Sequence, residues 1–208
     1  MKKVMLVAAI LIASVAASAQ NEVGKFSIAP TIGINLSNAS FSVSAISTST
    51  KAGLVIGATG EYGILPKFSV SAALLYSMEG CKSETEGEQN GYDYKISEDV
   101  SLNYLNIPIM ANYYVWQGLA VKAGLQFGIN LSSDDDYEMT VNGIAVPQEH
   151  ITEFSVNSLN LSFPIGVSYE YKNFVVDARY NLGLSKIVDE SGMKGRVFQI
   201  TAGYKFSL

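Results

Sequence analysis

From residue 26 onward the sequence alternates between large apolar side chains and small or polar ones, in eight separate runs. In "LAVKAGLQFGINL", Leu119, Val121, Ala123, Leu125, Phe127, Ile129 and Leu131 share one face, while Ala120, Lys122, Gly124, Gln126, Gly128 and Asn130 share the other. A repeat of two is the repeat of a β-strand, whereas an amphipathic helix repeats every ~3.6 residues. The same alternation marks strands at 26–36, 51–62, 67–78, 101–115, 118–131, 158–170, 173–184 and 195–207. In the first, Phe26, Ile28, Ile32, Ile34 and Leu36 oppose Ser27, Ala29, Thr31, Gly33 and Asn35. Eight such runs in succession predict an antiparallel up-and-down sheet closed into a barrel, which leaves no open edge.

The connections alternate in length. "GILP", "WQ" and "YKN" join strands two to three, four to five and six to seven, and the other links, 37–50, 79–98, 132–157 and 185–194, are long. Short turns at one end and long loops at the other are the pattern of outer-membrane barrels. The expected fold is therefore all-β: an eight-stranded transmembrane barrel with short periplasmic turns and long extracellular loops. The first loop is rich in Ser and Thr. The second carries Glu79, Glu84, Glu86, Glu88, Asp93 and Glu98 against two lysines, and the third carries Asp134, Asp135 and Asp136. Asn142-Gly143, between β-forming residues, predicts a small ribbon within the third loop.

A soluble barrel with an apolar ligand cavity would alternate in the same way. Its outer face, however, would need many Lys and Glu residues to meet water. Here the polar face is mostly Gly, Ser, Ala, Asn and Thr, and only 16% of the chain is charged, against ~25% in ordinary soluble domains. Small residues suit a cramped barrel interior, so the large apolar face is expected to meet lipid. A strand of about eleven residues tilted by ~40° rises roughly 28 Å, close to the ~25 Å apolar band of such barrels. Phe26, Tyr62, Phe68, Tyr113, Trp116, Tyr169, Phe174, Tyr204 and Phe206 fall at strand ends beside the short turns or the termini. They form the expected periplasmic aromatic girdle.

Parity also places the charges of the strands. Glu61, Glu170 and Asp177 point inward, as do Lys122, Arg179 and Lys205, so three acids meet three bases and the lumen sums to zero. Facing lipid at the midplane, Arg179 alone would cost about 2–4 kcal/mol. An ion or proton path and a structural plug of ion pairs both fit this inventory. The plug is the expectation, because eight strands leave room only for side chains. Pro108 and Pro164 also fall on the inward face, where each should skip a ladder hydrogen bond or form a bulge.

"MKKVMLVAAILIASVAASAQ" has a positive start, a short apolar core and Ala17-Ser18-Ala19 as an exit. It predicts a signal peptide over 1–19, cleaved after Ala19, with the barrel occupying 20–208. Losing Lys2 and Lys3 takes the formal charge from −5 to −7. An acidic exported chain is not expected to bind nucleic acid. Cys81 is the only cysteine, which excludes an internal disulfide and a Cys-built metal site. It is expected to be an incidental loop thiol. Beyond the leader no apolar run reaches the ~18 residues of a membrane-spanning helix.

Enzymatic candidates are few. His150, the single histidine, lies in the third loop beside Glu149 and Glu153, and no G-x-S-x-G or metal-spaced His pair occurs. No cofactor is expected. Asp134, Asp135 and Asp136 are weak candidates for Ca²⁺ ligands; a solvated acidic loop tip is the plainer expectation. The second and third loops carry twelve of the nineteen acids. This acidic crown could be bridged by divalent cations to lipopolysaccharide phosphates or to a basic partner.

"YLNIPIMANYYVWQGLAVKAGLQFGINLS", together with "FVVDARYNLGLSKI" and "RVFQITAGYKF", resembles the outer-membrane β-barrel domain of Bacteroidetes, the group that includes PorT-like proteins. The resemblance implies an eight-stranded barrel of OmpX/OmpA-like shape and supplies no shared catalytic residues. The expected protein is a monomeric, non-enzymatic barrel embedded in outer-membrane lipid, with an envelope-structural or surface-binding role. An accessory part of a secretion or transport machine is the alternative that the resemblance implies. A lipid-modifying enzyme is a third alternative.

Overall fold

The computed structural model describes residues 23–40, 48–89, 92–142, 144–146, 156–187 and 194–208. The expected signal peptide, the centre of the first loop and His150 with Glu149 and Glu153 lie outside the described residues. Ten strands follow one another: β1 (Phe26–Ser40), β2 (Thr48–Leu65), β3 (Phe68–Gln89), β4 (Tyr92–Trp116), β5 (Leu119–Val141), β6 (Ile144–Val146), β7 (Leu159–Tyr171), β8 (Phe174–Gly183), β9 (Lys194–Tyr204) and β10 (Phe206–Ser207). No helix occurs among the described residues. From β1 to β9 successive strands pair antiparallel, except that β5 pairs both β6 and β7 and β6 pairs only β5. The ring closes where β9 and β10 pair with β1, from Ser27↔Ser207 to Ser40↔Lys194. β10 continues β9, and β6 is a side ribbon, so the barrel has eight strands.

The alternation of sequence becomes an inverted core. In β1, Ser27, Asn35 and Ser37 are buried, while Phe26, Ile28, Ile32, Ile34 and Leu36 are exposed. In β4, Met110, Asn112 and Tyr114 face inward and Ile109, Tyr113 and Val115 outward. Most of the buried polar groups of the barrel are Ser, Asn, Gln and Thr, and the exposed surface carries a continuous set of Leu, Ile, Val and Phe. Such a surface, far beyond what water tolerates as a patch, suits a hydrocarbon solvent.

Three prolines are accommodated by one device. Pro108 pairs in register with Gln126 on β5, but the β3–β4 ladder omits the positions between Ala72↔Ile109 and Leu75↔Asn106. Pro164 pairs with Asn181 on β8, and the β5–β7 ladder omits the positions between Ala123↔Ile165 and Gln126↔Ser162. Pro30 on β1 sits where the facing strand breaks between β9 and β10. A proline has no N–H to give, so the ladder skips on one side while the register on either side is unchanged.

The expected loops at 79–98 and 132–157 are corrected. β3 and β4 stay paired from the barrel out to Gln89↔Tyr92, and β4 and β5 out to Tyr94↔Val141. The turn ribbon is present as β5–β6, with Asn142 at φ 51. The outer halves of these strands were not legible because both faces are polar in sequence, as in "KSETEGEQ". Without one buried face the period-two contrast vanishes although the backbone still pairs. Between the barrel and this three-stranded blade, the β2–β3 register shifts between Thr50 and Val55. Gly80 lies there at φ 149, and its N–H donates to Ser37 Oγ at 2.9 Å. A side chain at Gly80 would strike the Val100 carbonyl oxygen.

Candidate functional site

Among the described residues the lumen gathers the largest set of buried charged and polar side chains, and it is organised in layers. The layer nearest the short turns holds ions. Lys122 donates to Asp177 Oδ2 at 2.6 Å, and Arg179 Nε lies 3.0 Å from Asp177 Oδ1. Lys205 bridges Glu170 at 2.7 Å and Glu61 at 3.1 Å. Glu61 also accepts from Ser69 Oγ at 2.5 Å and from Tyr114 Oη at 2.6 Å. All six charged residues singled out in the sequence thus fall into two clusters, each built around a central residue that takes two partners. The backbone explains why they fit. Gly166 sits opposite Arg179, and a Cβ there would lie 2.7 Å from the Arg179 Cβ. The space these clusters leave is a cavity of about 40 Å³, lined by Glu61, Lys122, Glu170, Asp177, Arg179 and Lys205 among others.

Above this layer Arg179 Nη1 reaches Met110 Sδ at 3.7 Å, and Asn181 Nδ2 donates to Gln199 Oε1 at 3.4 Å. The next layer contains an acid that sequence reasoning had assigned to a loop. Glu79 lies on β3, and its Oε1 accepts from Ser77 Oγ and from Asn106 Nδ2, both at 2.9 Å. Ser77 in turn accepts from Asn35 Nδ2 at 2.7 Å. Glu79 borders a cavity of about 20 Å³ with Asn106, Gln126, Asn160, Ser162 and Asn181. This residue adds a fourth acid to the sequence inventory of the lumen: Glu61, Glu79, Glu170 and Asp177 face Lys122, Arg179 and Lys205. Parity alone could have found Glu79, because it continues Ser69, Ser71, Ala73, Leu75 and Ser77 on the inward face of β3.

At the far end the lumen closes with an apolar cluster of Cys81, Val100, Leu102, Tyr104 and Ile187, with Val156 packed against it. Cys81 is therefore not a loop thiol but a buried strand residue. It lies beyond Met78, the last apolar outward residue of β3, and so outside the membrane-spanning part. Burial, and the nearby Glu98 carboxylate, push its thiol up to about 11. A thiol held protonated at neutral pH is a poor nucleophile.

On the blade, Asp99 is held by Lys51 and by Lys82, the latter at 2.9 Å. Burial works against its ionised form, but the two lysines outweigh burial and keep its carboxyl below the ordinary value. Glu98 is shifted the opposite way, by burial first and then by the Asp135 carboxylate. Asp134, Asp135 and Asp136 all lie on strand β5, where successive side chains point to opposite faces. They do not converge, and no cluster of three or more ligating side chains occurs among the described residues.

The nine aromatics at the strand ends lie at the short-turn end of the barrel. Eight are exposed and Phe68 is partly so. Phe26 pairs with Tyr62, Phe68 with Tyr113 and Phe174 with Tyr204. Phe174 and Tyr204 stack edge to face at 5.1 Å, and Tyr204 and Phe206 lie 4.9 Å apart.

A closed antiparallel ring with an apolar exterior, a polar interior and aromatics banding one end defines the class: a transmembrane β-barrel. The profile of the family described as "Outer membrane protein beta-barrel domain" matches residues 18–189, and the chain belongs to that family. It is an outer-membrane protein. No curated protein is significantly similar to it in sequence. Among solved structures it is similar to Ail, the attachment invasion locus protein of Yersinia pestis, solved with the heparin analogue sucrose octasulfate. That likeness has 16% identity and a TM-score of 0.43, over 89% of this chain and 100% of that one. It is also similar to OprG from Pseudomonas aeruginosa, at 14% identity and TM-score 0.43, over 89% and 97% of the two chains. Neisserial surface protein A is similar at 15% identity and TM-score 0.41, over 88% and 97%.

Proposed function

We propose that this protein is a non-enzymatic, monomeric barrel that does not conduct, and that its work is done by the projecting blade and loops at one end. The observation that carries this reading is the filled lumen. Two three-residue ion clusters, an amide layer and an apolar cap succeed one another along the barrel, and the cavities described between these residues measure about 40 and 20 Å³. In this reading the short turns face the periplasm and the blade faces outward, the orientation general to outer-membrane barrels with short turns at one end and long connections at the other. The acidic residues of the blade then meet the lipopolysaccharide surface, through bridging cations, or an extracellular ligand of basic character. Membership of the PorT-like group of Bacteroidetes belongs to the same proposal.

Planar-bilayer recording tests the plug. The expected result is no steady conductance above baseline, and an ohmic current would overturn it. A second function is favoured by one observation, the paired extension of β3, β4 and β5 beyond the apolar band. Such a blade can dock a protein, as an accessory of a secretion machine would require. Stoichiometric co-purification with secretion components from solubilised membranes would select this second function over the first.

A further inference from the structure

We propose that the cavity beside Glu79 binds one monovalent cation of sodium size, coordinated by oxygen atoms of Glu79, Gln126 and Asn181. Glu79 is the one lumen acid with no Lys or Arg partner among the described residues. Its Oε1 accepts both available donors, Ser77 Oγ and Asn106 Nδ2, so neither neutralises the carboxylate. Two further oxygens line the same cavity without a hydrogen-bond partner, Gln126 Oε1 and Asn181 Oδ1. These residues are only 5% and 2% exposed. The Asn181 amide nitrogen is engaged by Gln199, which leaves its oxygen as the free end.

The inventory is an unpaired carboxylate and two buried amide oxygens without partners; the Ser162 hydroxyl on the same lining can donate to one of them and cannot balance the charge. A water would satisfy at most two of the oxygens and leave the charge in place. A proton on Glu79 would remove the charge and supply a single donor. A cation satisfies all three and balances the charge, which makes it the ligand that best offsets a buried carboxylate. The cavity of about 20 Å³ admits one water-sized species. A single carboxylate matches a single positive charge, whereas Ca²⁺ takes six to eight oxygens and usually several carboxylates. The site is independent of the envelope role proposed above: a barrel with no conductance can either hold the ion or lack it.

The test is urea unfolding of the refolded full barrel in lipid vesicles at neutral pH, in NaCl against choline chloride at equal concentration. NaCl is expected to raise the midpoint saturably, and choline is not. Glu79→Gln is expected to abolish the difference while keeping the heat-modifiable gel mobility of a folded barrel. If Glu79→Gln does not fold, Gln126→Met keeps the charge and removes one ligand oxygen; it should need more NaCl to reach the same rise. Equal wild-type midpoints in the two salts would overturn the proposal. So would a sodium effect that survives Glu79→Gln, or a Gln126→Met salt curve that superimposes on the wild type.

Discussion

Asp177 holds two cations at once, and that makes it the most sensitive single residue of the lumen. Lys122 and Arg179 both reach it, from β5 and from its own strand, and both are nearly buried. Removing one partner of a buried ion pair leaves an uncompensated charge, at about 3–5 kcal/mol. Asp177→Asn strands two cations and is expected to lose at least that much. Arg179→Met leaves Asp177 with Lys122 and is expected to lose less. Urea midpoints followed by the fluorescence of Trp116, the only tryptophan, check the order; equal losses would contradict the central place given to Asp177.

Glu98 gives a pH dependence of definite sign. Its carboxyl is raised above the ordinary 4.5, so at neutral pH the folded blade holds an ionised group it disfavours. As pH falls through that raised value the folded state takes up the proton before the unfolded chain does, and the blade gains stability. Asp99 acts in a separate window: its lysine pairing is lost only below the ordinary 3.8. Hydrogen-exchange protection of residues 92–100, corrected for intrinsic rate, should therefore rise as pH falls from neutral toward the ordinary 4.5, and Glu98→Gln should reproduce the rise at neutral pH. Cys81 supplies a simpler check. Buried and held as a thiol, it should react with maleimide only after unfolding.

At the scale of the strand, the membrane-spanning segments were legible because lipid and lumen demand opposite side chains at successive positions. The pattern in 119–131 or 173–184 is unambiguous for that reason. Pro108 and Pro164, read by propensity alone, would have broken both strands. They survive because an inward proline costs one ladder bond and the neighbouring strand on its other side stays in register. What was not legible were the strand ends beyond the band. Glu79, Cys81 and Glu98 sit in a stretch whose composition suggests a loop, yet they belong to paired strands. The missed lumen acid follows from that misplacement, and so does the place of Cys81 in the apolar cap. The girdle makes a prediction at this scale. Trp116 ends β4 at the short-turn end and is 54% exposed. In vesicles its emission should be quenched more by lipids brominated near the headgroup than by lipids brominated at the chain ends.

For the whole molecule, the apolar band and the blade are two structures built from the same strands but stabilised by different solvents. The band gains from lipid on the outside and ion pairs within. The blade is held by its β3–β4 and β4–β5 ladders and by the Lys51–Asp99–Lys82 cluster. The β2–β3 ladder shifts register at Gly80, and the apolar cap of Cys81, Val100, Leu102, Tyr104 and Ile187 lies at the junction. If that junction separates the two, the blade can be removed without harm to the barrel. A variant with residues 84–97 replaced by a tight turn keeps the cap and shortens only the paired extension. It is expected to refold into vesicles, to retain heat-modifiable mobility and to show a urea midpoint close to that of the full chain. Leu102→Ala removes packing from the cap itself and is expected to cost about 2–5 kcal/mol, more than deletion of the blade tip. The opposite order would mean that the blade, and not the cap, secures that end of the lumen.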